Sequence, residues 1–167
     1  SEHPYGIGDF KWVYDGNPGT KSLSVTFSDK TEFHEYEYLS FYDQNGNWIG
    51  SAGNELAGKT VDFNATSLII KLYSDETEDH YGFKITNIRE NNYEVDGTVI
   101  PVGNCKITED RATGTITFEP SDPHDEYLSF NIFGSKAIKW VKKIVVKEGF
   151  RGLEIADFNC FFNSEIL

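Results

Sequence analysis

Polar and apolar residues alternate with a period of two along much of the chain. That spacing puts neighbouring side chains on opposite faces of a strand. Leu23-Ser-Val-Thr-Phe27 alternates in this way. Tyr36-Glu-Tyr-Leu-Ser-Phe-Tyr-Asp43 does the same, with Leu39 and Phe41 on one face and Tyr36, Tyr38 and Tyr42 on the other. Thr60–Ala65, the apolar run Ser67–Tyr73 and Gly82–Ile88 extend the series. Turn clusters separate these runs at Asp15–Gly19, Asp43–Asn47 and Glu55–Gly58. Strands every eight to twelve residues with turn clusters between them predict a sandwich or barrel. No stretch in the first 90 residues carries a helical apolar period.

The pattern changes near the polar run Arg89–Asn92, which reads as a short linker. Beyond it, Cys105–Thr108 and Gly114–Phe118 predict a hairpin around Asp110–Gly114. Tyr127–Phe133 and Ile138–Val146 are two further apolar runs. The expected organisation is two units, 1–90 and 91–167. The first is an antiparallel β-sandwich and the second a smaller β-rich unit. Residues 1–90 carry a net charge of -8 and residues 91–167 a net of -4.

Composition narrows the function. Fifteen basic against 27 acidic side chains give the chain a net charge of -12. Such a chain repels phosphate backbones and anionic lipid heads, which argues against nucleic-acid and peripheral membrane binding. No apolar run reaches the roughly 20 residues that span a bilayer. The chain contains no Met, so Ser1 is not a natural start; a removed leader or a fragment of a longer protein is expected, and with it a secreted or cell-surface location. Cys105 and Cys160 are too few for a disulfide scaffold, and a bonded pair or two buried thiols both stay open.

Catalytic signatures are absent from the pattern. His3, His34, His80 and His124 do not fall at metal-ligand spacing. There is no Gly-x-Ser-x-Gly elbow and no Gly-rich phosphate loop before a helix. The expectation is therefore not an enzyme. The aromatics are more informative. Trp12, Tyr14, Tyr36, Tyr42, Trp48, Tyr73 and Trp140 could build a sugar-stacking platform, with Trp12, Tyr36, Trp48 and Tyr73 the candidate ligand-binding residues. Against this, Trp12 and Trp48 could belong to the core or its edge. Two acidic segments are the candidate metal site. Asp29–Glu37 has four carboxylates in nine residues and Asp75–Asp79 has four in five. Sharing one end of a sandwich, they would repel strongly without a cation between them, and Ca²⁺ takes six to eight oxygen ligands. Solvated loop charges are the alternative.

The order Tyr36-Glu37-Tyr38-Leu39, Tyr42-Asp43, then Tyr73-Ser74-Asp75-Glu76-Thr77 and Gly82-Phe83 resembles the CUB domain family. It is similar to the cysteine-free, CUB-like modules of bacterial cell-surface proteins, which often open with a His-Pro-Tyr and a Trp-x-Tyr, here His3–Tyr5 and Trp12–Tyr14. The resemblance covers roughly residues 10–90 and implies a jelly-roll β-sandwich. It also implies a Ca²⁺ held by Glu32, Glu37 and Asp75, with Glu37 where the family has Asp and with Asp29 and Glu35 as competitors for Glu32. Val141–Gly149, Phe150, Leu153 and Phe158 resemble one repeat of bacterial leucine-rich-repeat surface proteins, with Gly114–Phe118 as the preceding hairpin. Together these imply an extracellular, non-catalytic recognition module for a protein or glycan. The alternative is a carbohydrate-binding module attached to a larger glycan-active protein.

Overall fold

A computed structural model of the chain describes residues 6–74, 80–101, 105–121, 126–128, 130–133 and 138–153. The described elements are strands, apart from one 3-10 turn at Asn54–Leu56. None of them is a helix long and apolar enough to cross a membrane. The chain divides into two compact units, Ser1–Val95 and Asp96–Leu167.

The first unit is built from β1 (Gly8–Asp15), β2 (Ser22–Phe27), β3 (Leu39–Tyr42), β4 (Trp48–Ala52), β5 (Thr60–Phe63), β6 (Ser67–Ser74) and β7 (Ile85–Asn91). They form a four-stranded sheet in the order β1-β6-β3-β4 and a three-stranded sheet in the order β5-β2-β7. Every pairing in both sheets is antiparallel. In β2, β3, β5 and β6 the inward parity is apolar. Leu23, Val25 and Phe27 of β2 are buried, as are Leu39 and Phe41 of β3, Val61 and Phe63 of β5, and Leu68, Ile70 and Leu72 of β6. Phe41 meets Phe63 at 5.0 Å and Phe27 at 6.1 Å between ring centroids, so the two sheets share one core. Burying a side chain of this size contributes about 1.5–3 kcal/mol. The arrangement is all-β and sandwich-like.

Turn chemistry sets the hairpins. Asp43 Oδ1 accepts hydrogen bonds from the Asn45 and Asn47 amides, both at 2.8 Å, and Gly46 takes φ +80°. This closes β3 onto β4 as the Asp43–Asn47 cluster predicts. Two elements differ from the sequence expectation. The strand begins at Leu39 rather than Tyr36, because the Glu37 amide donates to the His34 carbonyl and turns the chain first. The polar run Arg89–Asn92, expected as a linker, is mostly the end of β7. Its polarity is absorbed by pairing with β2: Asn91 Nδ2 donates to Ser22 Oγ and Ser24 Oγ, and Arg89 donates to Ser24 Oγ.

The second unit contains β8 (Thr98–Pro101), β9 (Cys105–Asp110), β10 (Thr115–Pro120), β11 (Glu126–Leu128), β12 (Phe130–Phe133), β13 (Lys143–Val146) and β14 (Phe150–Leu153). The expected hairpin is present as β9 and β10, with Asp110 opposite Thr115. Gly114 supplies the φ +70° its turn requires. β8 pairs antiparallel with β12. Two pairings are parallel, β10 with β13 and β11 with β14. The apolar run Ile138–Val146 is not one strand. The Lys142 and Lys143 amides both donate to the Gly114 carbonyl, at 2.7 and 3.0 Å, so the segment turns at Lys139 and Trp140 before β13 starts. A core of Val99, Cys105, Ile116, Phe118, Leu128, Phe130 and Ile138 fills the unit, with Phe118 stacked on Phe130 at 5.0 Å.

Candidate functional site

The two sheets of the first unit turn very different faces outward. On the three-stranded sheet the outer parity is polar and satisfied within itself. Thr26 and Thr60 share a 2.8 Å hydrogen bond, and Ser22, Ser24, Arg89 and Asn91 are linked as described above. Ser22, Ser24 and Asn91 of this parity are buried, so it is not an open face for a ligand.

The four-stranded sheet presents cross-strand rows of a different chemistry. One row reads Val13, Ile69, Tyr42, Trp48, each residue paired with the next. The adjacent row reads Lys11, Lys71, Ser40, Ser51, again paired in sequence. Beyond it, Asp9 pairs with Tyr73. A groove of about 460 Å³ runs over this face. Asp9 and Lys11 of β1, Lys71 and Tyr73 of β6, and Ser40 and Tyr42 of β3 line it, with Tyr36, Glu37 and Tyr38 from the segment before β3. Its size lies in the range of small-ligand sites. Tyr36 is 76% exposed, Tyr73 63% and Tyr38 55%.

Local contacts hold the groove in shape. Lys71 Nζ sits 4.6 Å from the centre of the Tyr42 ring, a cation–π contact worth about 0.5–1 kcal/mol at an exposed site. Trp48, 62% exposed, donates from Nε1 to Ser51 Oγ at 3.0 Å, and Ser51 Oγ shares a 3.2 Å hydrogen bond with Ser40 Oγ. The indole is thereby anchored beside a residue that lines the groove. The register shift between Phe41 and Tyr42 brings Trp48 opposite Tyr42.

The sequence-predicted ligand residues divide. Tyr36 and Tyr73 line the groove together, and Trp48 lies on the same face. Trp12 does not. It has the parity of Phe10 and Tyr14, stacks on Phe10 at 5.9 Å, and meets Phe83 edge-on at 4.8 Å. Tyr42, named in the wider aromatic platform, also lines the groove, whereas Lys11, Tyr38 and Lys71 were not among the sequence candidates. Alternation along Ser67–Tyr73 does place Lys71 and Tyr73 on one face; the strand order that sets them beside Lys11 and Tyr42 is not a local signal.

Of the proposed Ca²⁺ ligands, Asp75 lies outside the described residues. Glu32 is exposed and its backbone bridges Gly82, through hydrogen bonds of 2.9 and 2.7 Å. Glu37 is buried, 9% exposed, against the groove. His34 and His80 lie 5.7 Å apart, so Glu32–Glu37 and His80–Phe83 share one end of the unit. Among the described residues no three His, Cys, Asp or Glu side chains gather as a metal site. No protein-family model, curated protein or solved structure matches this chain.

Proposed function

We propose that the first unit is a non-catalytic recognition module of a secreted or cell-surface protein, binding its ligand on the outer face of the four-stranded sheet. One observation carries this reading: Tyr36, Tyr38, Tyr42 and Tyr73 surround a single groove, and three of them are more than half exposed. A solvent-facing sheet needs no such concentration of aromatic surface for stability, whereas flat π faces pack on the C–H faces of sugars and on apolar side chains. The hydroxyl and ammonium row between the aromatic rows favours a glycan over an apolar peptide. The sandwich-like architecture, with the Tyr-rich segment leading into β3, agrees with a CUB-like jelly roll. In this reading the second unit connects the module to the rest of a surface architecture, as a repeat-like β-rich piece.

A polysaccharide array tests the proposal. Wild-type protein is expected to be retained on at least one glycan, and Tyr73→Ala to lose that retention while keeping its thermal midpoint. Retention on none, or retention indifferent to Tyr73→Ala and Tyr36→Ala alike, overturns it.

A further inference from the structure

Lys11 and Lys71 stand directly opposite one another on adjacent antiparallel strands, in the floor of the groove. Like charges in that position destabilise a sheet. The chain has 27 acidic side chains to supply a partner. Even so, among the described residues neither lysine forms an ion pair, and the contact described for Lys71 is with the Tyr42 ring. Asp9 and Glu37 also line the groove, Asp9 on the row beyond the lysines and Glu37 buried in the segment before β3. The row continues through the hydroxyls of Ser40 and Ser51. Two ammonium groups and two hydroxyls thus lie in line between an aromatic row and Tyr73.

We infer that this groove takes an acidic glycan, with the carboxylate of a hexuronate unit seated on Lys11 and Lys71. The inference rests on the recognition reading and names its ligand class. A carboxylate accepts charge-assisted hydrogen bonds from both ammonium groups and relieves their repulsion. Ring hydroxyls meet Ser40 and Ser51, and the C–H faces of the sugar pack on Tyr42 and Tyr73. Acidic peptides carry the same charge but lack the alternating flat faces and hydroxyls that the rows match. The protein's overall negative charge repels polyanions at long range, so selection comes from the local lysine pair and depends on salt.

The test is calorimetric titration of the full chain with tetrasaccharides of galacturonate, mannuronate and hyaluronate, each beside its form with carboxylates reduced to alcohols. At least one acidic tetrasaccharide is expected to bind about tenfold or more tightly than its reduced form, with affinity falling as NaCl rises. Lys71→Gln and Lys11→Gln should abolish that preference. Tyr73→Ala should weaken acidic and reduced forms alike. All of these variants are at exposed positions and should keep the wild-type thermal midpoint. Equal binding of acidic and reduced sugars, with Tyr73→Ala still weakening both, overturns the acidic-glycan inference and leaves the recognition reading standing. Binding of poly-glutamate but of no tetrasaccharide overturns it in favour of an acidic peptide. Binding of neither overturns the inference, and the recognition reading falls with it if the polysaccharide array is also blank.

Discussion

Tyr14 Oη donates a 2.6 Å hydrogen bond to Glu90 Oε1, joining edge strand β1 of one sheet to edge strand β7 of the other. Glu90 also accepts from Thr20 Oγ1 at 2.8 Å and from the amide and side chain of Asn17. The carboxylate therefore gathers the turn after β1 and fastens it to β7.

That relationship gives the first unit an acid sensitivity. Hydrogen bonds from Tyr14 and Thr20, with those of Asn17, hold Glu90 at about 2, against an ordinary 4.5. A carboxylate lowered on folding contributes stability that is complete above its unfolded value and is lost as pH falls through its folded one. The loss from this group is expected between pH 4.5 and about 2. Glu90→Gln should lower the thermal midpoint at pH 7, and its gap from wild type should close across that window. Parallel melting curves for the two proteins through the window would contradict the assignment.

Trp12 and Tyr73 should separate stability from binding. Trp12→Ala removes a half-buried ring from Phe10 and Phe83 and should cost about 2–4 kcal/mol in denaturant unfolding. Tyr73→Ala, on the outer face, should stay within about 1 kcal/mol of wild type. Equal costs at the two positions would mean the face assignment of β1 is wrong.

Gly114→Ala should destabilise the second unit. A Cβ at this φ +70° position would stand 2.9 Å from the Trp140 carbonyl oxygen and 3.0 Å from Lys142 Cγ. The left-handed backbone alone costs a non-glycine residue about 1 kcal/mol or more, and the backbone clash adds to it. Arg111 lies 4.9 Å from the Trp140 ring centre, so Trp140 fluorescence is a local reporter. An unchanged spectrum and midpoint would count against the turn as described.

Ligand binding on the aromatic face should not need a divalent cation. Glu37 lines the groove, but the aromatic and lysine rows are built from other residues. Retention measured in EDTA and in millimolar Ca²⁺ should agree within about twofold. A tenfold loss in EDTA would move the site toward Glu32, Glu37 and Asp75.

Much of the first unit is legible in the residues because its information is local. The alternation in Leu23–Phe27 marks β2, and the Asp43–Asn47 cluster marks the β3–β4 hairpin through side-chain-to-backbone bonds. Trp12 also carried a usable signal: Asp9, Lys11 and Asp15 occupy the opposite parity and claim the water. What stayed hidden depends on pairings far apart in sequence. Lys11 and Lys71 lie sixty positions apart, and no turn residue announces that β1 pairs with β6. The end of β7 looks like a linker because its polar side chains are satisfied across the sheet rather than buried in the core. The parallel partners β10 and β13 are likewise joined by no short turn that a sequence could display.

The order β1-β6-β3-β4 has a consequence for synthesis. Among the described strands β1 hydrogen-bonds to β6 alone, so Phe10 and Trp12 have no described sheet to join until residues 67–74 have left the ribosome. At about 5–20 residues per second, that wait lasts seconds. For that interval the nascent segment carries an aromatic, strand-forming stretch without its mate.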